Sequence, residues 1–295
     1  MSGFSQFLMQ LVNGINAGSI YALIALGYTM VYGIAKLINF AHGDIIMVGA
    51  YVCLFAISTF QLPVWLAIVL SIVVCALLGI VVEKVAYKPL RSASRISLLI
   101  TAIGVSYLLQ SLFQLLFSAN PRPFPTIIKL PPLVLGSIAI SAPYYITFIV
   151  SVILMTVLHL FVQKTKIGKA MRAVSEDAQA AQLMGINIDR TISITFALGS
   201  ALAAVAGILY CSSYPMVNPY LGSLPGIKAF IAAVLGGIGS IPGAVLGGFI
   251  LGIIEALTKA YISSQLSDAI VFTVLIIMLV FKPSGILGKN VKEKV

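Results

Sequence analysis

His42 and Asp44 are the pair of side chains in this 295-residue chain that could most readily do chemistry. They stand two residues apart in the stretch NFAHGD, next to long apolar runs. An ionisable group inside a membrane is costly and is by default a candidate for handling protons or ions. The nearby Lys36 indicates, however, that this stretch lies near the cytoplasmic interface, where both groups would be solvated. A structural or interfacial role is therefore the first interpretation, and a site within the membrane is the second.

The other charges near apolar runs have simple structural interpretations. Glu255 and Lys259 have the i,i+4 spacing of an ion pair near the end of a helix. Lys228 begins a short apolar helix, and its long side chain can reach the interface by snorkelling. His159 stands one turn before Lys164, which favours an interfacial position.

The first apolar run carries an unusually polar face. Asn13, Asn16 and Ser19 follow helical spacing. Such a face could form hydrogen bonds with a neighbouring helix, or it could line a translocation path. The sequence does not separate these two interpretations.

Motifs typical of enzymes are missing from the sequence. It contains no GxxxxGK[ST] phosphate loop, no HExxH, no GxSxG and no cluster of Cys and His ligands. Its three cysteines are scattered through apolar runs, which predicts neither a disulfide framework nor a metal site. We expect no catalytic residue, metal or cofactor on this chain, and ATP would have to bind another polypeptide.

Composition predicts a membrane protein. The chain is 60% hydrophobic and 9% charged, whereas soluble domains carry about 25% charged residues. Several apolar runs reach the roughly 20 residues that cross a bilayer as a helix, and they are too long and uninterrupted for barrel strands. We therefore predict an all-α polytopic membrane protein with one transmembrane domain over residues 1–295.

Basic residues are concentrated in a few segments. Of the 18, four lie in Glu83–Arg95, five in Lys164–Arg190 and four in Lys282–Val295. Positive residues favour the cytoplasmic side, so these segments are assigned to the cytoplasm together with Lys36. The basic tail then places the C-terminus inside and the uncharged N-terminus outside. The net charge of +10 thus reflects topology, and nucleic acid is not an expected partner.

Apolar runs and loops predict about eight or nine transmembrane helices, some of them broken or re-entrant. A Pro-rich loop at Ser118–Pro143 is predicted to form a ledge outside, with short strands. The predicted spans are Phe7–Ile34, Ile45–Phe60, Val64–Val82, Ile96–Phe117, Tyr144–Gln163, Thr191–Ser213, Ile227–Leu257 split at Gly236–Gly243, and Ala269–Phe281.

Two breaks in the apolar runs have a similar sequence context. The stretch from Asn39 to Asp44 precedes IIMVGAY, and the stretch from Gly237 to Pro242 precedes GAVLGGF. Paired breaks in two halves of a transporter are a pointer to a binding site built from broken helices. Glycine also permits tight helix packing, which is the alternative. The candidates for a translocation path are Asn13, Asn16, Ser19, Asn39, His42, Asp44, Gly237 and Gly239.

The polar segment Lys164–Arg190 interrupts the membrane pattern. Within it, Ser175 can cap a helix, and Glu176 and Asp177 suit the positive first turn. Gly185 stands where a C-terminal glycine would end that helix. A compact helix on the cytoplasmic surface is a suitable handle for a partner protein. This segment therefore predicts a transporter subunit that is driven from outside itself.

Four segments of the sequence are distinctive: NAGSIYALIALGYTMVYGIAKLINFAHGDIIMVGAY, IGKAMRAVSEDAQAAQLMGINIDRTISITFALGSALAAVAGIL, LGGIGSIPGAVLGG and FKPSGILG. Through these segments the chain resembles the LivH-type permeases of branched-chain amino acid ABC importers over nearly its whole length. The resemblance implies a fold like that of type II ABC importer permeases, in a bacterial inner membrane.

The resemblance also implies partners. These are a second homologous permease, two cytoplasmic ATPase subunits that bind ATP, surrounding membrane lipid, and an extracytoplasmic protein that delivers Leu, Ile or Val. The residues of this chain that would couple to the ATPases are Gly168, Arg172, Glu176, Asp177, Ala180, Ala181 and Gly185.

Three other readings stay open. An importer of the same class could carry other amino acids, short amides or urea. An autonomous secondary transporter or channel would need an ion or proton site, for which the sequence offers little beyond His42 and Asp44. An intramembrane enzyme would have to use the same two residues.

Overall fold

The computed structural model describes residues 3–91, 93–135 and 138–288 and is predominantly helical. The basic tail residues Lys289, Lys292 and Lys294, which contribute to the predicted orientation, lie outside the described residues. The helices are α1 (Gly3–Ala35), α2 (His42–Ser58), α3 (Val64–Val82), α4 (Arg95–Phe117), α5 (Ala142–Lys164), α6 (Lys166–Glu176), α7 (Ala178–Leu183), α8 (Ile188–Ser213), α9 (Ser223–Gly236), α10 (Ile241–Tyr261) and α11 (Ser267–Phe281).

The structure confirms the predicted all-α membrane architecture. Among the described residues, six helices are long and apolar enough to cross a bilayer, and α2, α9 and α11 are shorter apolar helices. The third predicted span matches α3 at both ends. A π-helical turn, Glu83–Tyr87, continues from α3 towards the basic loop. The apolar runs therefore located the helices well.

The centre of the bundle is formed by α1 and α8, which cross where two glycines meet. In a continuous apolar stretch of 18 residues in α1, 78% of the residues are buried, against 17% in the corresponding stretch of α4. A Cβ atom added to Gly27 would lie 3.2 Å from the carbonyl oxygen of Gly199, so the two backbones are in contact there. The helices α3, α4 and α5 lie outside this centre and expose many large apolar side chains, as helices that face lipid do.

Glycine pairs bring α1 and α10 into close contact. Gly14 and Gly18 on α1 face Gly248 and Gly252 on α10, and each pair has four-residue spacing. A Cβ on Gly18 would lie 2.8 Å from the Cα of Phe249, and one on Gly248 would lie 2.5 Å from the backbone nitrogen of Ala22. Small residues at such positions allow membrane helices to pack backbone against backbone.

Two half-helices begin in the interior and meet at their N-termini. A Cβ on Gly226, in the first turn of α9, would lie 2.9 Å from the Cα of Gly43, in the first turn of α2. From this meeting point α2 and α9 run to opposite ends of the bundle. The non-helical segments 36–41 and 214–222 bring the chain to these two starts.

The packing pattern indicates an inverted repeat. The helices α1, α2 and α3 correspond to α8, α9 and α10, because α1 packs on α9 and α10 just as α8 packs on α2 and α3. The two triplets run in opposite directions, which is the arrangement produced by a pseudo-two-fold axis in the membrane plane.

The two ends of the bundle differ in structure. One end, called the strand end, carries short strands: β1 (Arg122–Pro123) pairs with β4 (Met216–Val217), and β2 (Leu133–Leu135) pairs with β3 (Ile138–Ile140). Short strands in the Pro-rich loop are thus confirmed. The opposite end, called the α6 end, carries α6, α7 and the last described residues, where the Leu287 amide donates to the carbonyl of Gly236 at 2.9 Å.

Candidate functional site

The polar segment between α5 and α8 forms two short helices instead of the single one predicted. The side chain of Thr165 caps α6 by accepting from the Gly168 amide at 3.0 Å. The carboxylate of Asp177 caps α7 by accepting from the Ala180 amide at 2.9 Å. The predicted cap at Ser175 is wrong: this residue lies in the last turn of α6, where its hydroxyl donates to the carbonyl of Arg172. Asp is as good a cap as Ser, so Asp177 was the competing signal.

Gly185 ends the second of these helices, as predicted. Its φ of +82° is left-handed. The Gly185 amide donates to the carbonyl of Gln182, and the Ile186 amide donates to that of Ala181, both at 3.0 Å. This pair of hydrogen bonds is a Schellman motif, which stops a helix. The end of α7 is therefore fixed by backbone geometry.

The predicted coupling residues divide between two faces of the segment. Gly168 and Ala181 are buried, and the exposed Arg172 is tied to α5 by hydrogen bonds to the side chain and carbonyl of Gln163. Glu176, Asp177 and Ala180 are exposed. Beyond them, Leu183 and Met184 are 88% and 83% exposed and form an apolar tip that the sequence reasoning missed. Their position beside Gly185 was the available signal.

His42 and Asp44 lie at the interior start of α2, not at an interface. They are 1% and 2% exposed, and the His42 ring packs edge-on against Tyr28 with centroids 4.8 Å apart. Asp44 accepts from Gln110 at 2.8 Å, and Gln110 also reaches Ser223 at the start of α9. The expected interfacial position is therefore wrong. A carboxylate at two converging helix N-termini is favourable, because those ends carry positive partial charge.

The other polar path candidates are distributed over the molecule. Asn39 accepts a hydrogen bond from the Tyr87 hydroxyl at 2.9 Å. Asn13 donates to Gln10 near the strand end, Asn16 lies 3.4 Å from Ser213 on α8, and Ser19 donates to the carbonyl of Ile15. Asn16 thus contacts a neighbouring helix, one of the two roles foreseen for it. The structure does not bring this set into one site, and a role in translocation stays a prediction.

Gly237 and Gly239 form the break between α9 and α10. Their φ angles are +108° and +94°, which L side chains rarely adopt. Gly239 packs beside Gly33 near the end of α1. The partner of the α2 start is a different position, Gly222–Ser223, which the sequence analysis assigned to the loop between the predicted spans Thr191–Ser213 and Ile227–Leu257. A glycine and a serine before an apolar run, in LGSLPG, were the signal for that helix start.

A charged cluster at the strand end was also missed. Lys228 is only 6% exposed, so the predicted snorkelling is wrong, and its Nζ lies 2.8 Å from Glu255 and 2.7 Å from Asp268. The predicted pair of Glu255 and Lys259 is confirmed at 2.5 Å. Glu255 itself is 3% exposed and also accepts from the Tyr21 hydroxyl at 2.6 Å. The cluster therefore joins four helices.

Comparison with known proteins identifies the family of the chain. A model of the branched-chain amino acid transport system permease component matches residues 10–279. The high-affinity branched-chain amino acid transport system permease protein LivH of Escherichia coli K12 is 44% identical, over 99% of both chains. The corresponding protein BraD of Pseudomonas aeruginosa is 44% identical over 98% of both.

A more distant relative and the solved structures complete the comparison. The probable branched-chain amino acid transport permease protein LivH of Methanocaldococcus jannaschii is 31% identical, over 97% of this chain and 94% of its own. No solved structure matches significantly. With the family model and the relatives agreeing over nearly its whole length, this multi-pass membrane protein belongs to the permease components of branched-chain amino acid transport systems.

Proposed function

We propose that this chain is a membrane-spanning permease subunit of an ATP-driven importer that moves Leu, Ile and Val into a bacterial cell. The substrate follows from the names of relatives that are 44% identical over almost the whole chain. The complete importer would contain a second homologous permease, two cytoplasmic ATPase subunits that bind ATP, and an extracytoplasmic binding protein.

The observation that carries the proposal is the exposed tip of α7. Leu183 and Met184 present bare apolar surface at the end of a rigidly capped segment. Isolated exposed apolar side chains are common, but two adjacent ones on a polar loop of a membrane protein suit a protein contact. An ATPase subunit with an apolar groove is the partner that fits this tip.

The orientation follows from charge. Five basic residues lie in Lys164–Arg190, on the segment that carries the tip. Positive residues favour the cytoplasmic side of the bacterial inner membrane. We therefore place the α6 end and the C-terminus in the cytoplasm and the N-terminus outside, so that the strand end receives the binding protein.

The coupling would work by population shift. Closure of the ATPase pair on binding ATP favours one conformation of the permease pair, and it can do so only through a difference in affinity for the two conformations. We propose that the ATPase subunits act on the permease through the α6–α7 segment, because α6 is bound to the end of α5 by the hydrogen bond from Arg172 to Gln163.

The substitution Leu183→Asp tests the proposal in membranes that contain the whole transporter. We expect leucine uptake to fall at least tenfold and the ATPase subunits to be lost on purification, because a charge replaces an apolar contact. Leu130→Asp is the matched control for retention of the ATPase subunits, since Leu130 is an exposed leucine, 54% exposed, at the opposite end of the bundle. Normal uptake with ATPase retained in Leu183→Asp membranes would contradict the proposal.

The substrate needs a separate measurement. Uptake of labelled leucine should be competed by Ile and Val and left unchanged by urea and short amides. Competition by an amide or by urea, with no competition by Val, would favour the alternative substrates of the same importer class.

A further inference from the structure

A polar cavity formed by described residues lies at the strand end. It has a volume of about 400 Å³ and is lined by residues of α1, α5, α8, α9, α10 and α11. Its wall contains the charged cluster of Lys228, Glu255, Lys259 and Asp268. A cavity that combines two positive and two negative groups is suited to a small ligand that itself carries both charges.

The four charged groups are connected in series, and each of the two groups at the ends of the series has one partner within it. Lys259, Glu255, Lys228 and Asp268 are joined in that order by contacts of 2.5, 2.8 and 2.7 Å. The ends of the series, the Lys259 ammonium and the Asp268 carboxylate, can therefore be no further apart than the sum of these three distances. A separation within this bound can be bridged by a single α-amino acid that contacts one group with its carboxylate and the other with its ammonium.

Of the four charged groups, the two at the ends are both exposed and incompletely paired. Both oxygens of Glu255 are used, one by the two lysines and the other by the Tyr21 hydroxyl. Lys228 is buried between its two partners. The side chains of Lys259 and Asp268 are 47% and 42% exposed. Among the described residues, each forms one ion pair, which is the one within the cluster. An ammonium has three donors and a carboxylate two acceptor oxygens, so both can bind more.

Part of the remaining wall suits an aliphatic side chain, and the other part includes Gln10, Asn13, Ser264, Ser267 and four tyrosines. Ile20, Leu224, Pro225 and Ala256 line the same cavity. A ligand site typically combines apolar surface with a few placed polar groups that fix the orientation of the ligand. Here the charged ends would orient the backbone of the amino acid, and the apolar wall would accept its side chain.

We propose that this cavity binds a zwitterionic α-amino acid with an aliphatic side chain, its carboxylate at Lys259 and its ammonium at Asp268. The inference rests on the proposed function, since it assigns a receiving site for the transported amino acid. The cavity lies at the start of α5, where Tyr144 lines it, whereas α6 follows the other end of α5. It is thus on the face where a delivered substrate would arrive.

The test measures binding of free leucine to the purified transporter without its binding protein. Ligand-detected NMR suits the weak affinity expected of a receiving site. Leucine should bind, while N-acetyl-leucine and leucinamide, which each lack one of the two charges, should not compete. Both Asp268→Asn and Lys259→Gln should weaken leucine binding at least tenfold. Lys129→Gln, an exposed lysine in the loop at the same end, is the matched control and should leave it unchanged.

The outcomes separate this proposal from the proposed function. If both variants bind leucine as the unaltered protein does, or if the blocked analogues compete equally, the site is wrong, even where delivered leucine is still taken up. If Asp268→Asn lowers only the melting temperature and leaves leucine binding intact, the cluster merely holds helices together and the proposal fails. Cavity-dependent binding of another zwitterion, in a transporter that takes up no leucine, would support a zwitterion site but overturn the aliphatic specificity and the proposed substrate.

Discussion

Glu83, a fully buried carboxylate at the α6 end, shows how single charges are accommodated in this molecule. It forms an ion pair with Arg91 and accepts from the Ser193 hydroxyl at 2.6 Å. Arg91 continues to Asp189 at 2.5 Å, and Asp189 pairs with Lys88 at 2.7 Å. This network joins the turn after α3 to the start of α8. Its members differ in burial, so their removal should differ in cost.

Arg91→Met should destabilise the protein strongly. It leaves the carboxylate of Glu83 buried without its cation, and breaking a buried pair in this way costs about 3–5 kcal/mol. Lys88→Met removes only a contact between two half-exposed side chains, which is worth about 0–1 kcal/mol. Denaturant titration of the detergent-solubilised variants measures both free energies of unfolding. Equal effects of the two substitutions would show that Glu83 is not effectively desolvated.

At the scale of helices, the glycine contacts decide where backbones approach. Gly252 on α10 faces α1 so closely that a Cβ there would lie 2.5 Å from the carbonyl oxygen of Gly14 and closer still to the backbone of Gly18. Gly104, in the middle of α4, has open space around it. Both positions are glycine, but their surroundings differ: Gly252 is in backbone contact with α1, whereas Gly104 has no neighbouring atom where a Cβ would lie.

Gly252→Ala should separate α1 from α10 and lower the free energy of unfolding by about 1–3 kcal/mol, the usual cost of overpacking. Gly104→Ala should be neutral or stabilising by up to about 1 kcal/mol, because alanine is the better helix former. Thermal unfolding of the two purified variants compares them directly. A larger loss in Gly104→Ala than in Gly252→Ala would contradict the packing described for these helices.

The element scale also explains what sequence reasoning could predict. The bounds of α3 followed from an uninterrupted apolar run between Pro63 and Glu83, because length and polarity alone define a span. The start of α9 at Ser223 could not be predicted in this way, because a non-helical segment in the interior of a protein has the same sequence character as a surface loop. Lys228 was misjudged for the same reason: its partner Asp268 is 40 positions away and reaches it only through the packing of α9 against α11.

For the whole molecule, the two ends have separate roles in the proposed transport cycle. The strand end holds the charged cavity, and the α6 end holds the segment with the exposed tip. The inverted repeat places the starts of α2 and α9 between them. If the cavity receives the substrate and the ATPase subunits act on the segment, as proposed, the two functions lie at opposite ends of the bundle.

Cysteine labelling tests that polarity. A thiol introduced by Ser94→Cys should react only with reagent on the cytoplasmic side, and one introduced by Ser141→Cys only with reagent outside. Both serines are exposed, at opposite ends of the bundle. The native residues Cys53, Cys75 and Cys211 are buried, so their background labelling should be low. Labelling of Ser94→Cys from outside would reverse the proposed orientation.

The bend at Thr165 connects α5 to α6 and bears on how motion would pass between them in the proposed transport cycle. Its hydroxyl donates to the carbonyl of Phe161 on α5 and accepts from the Gly168 amide on α6, so one side chain braces both arms of the bend. Beyond the bend, α5 is a continuous rod of 23 residues, about 34 Å long at 1.5 Å per residue, and Tyr144 at its far end borders the charged cavity. If the proposed ATPase subunits act on α6, a displacement there would be transmitted along the continuous helix α5 to the edge of the cavity at Tyr144.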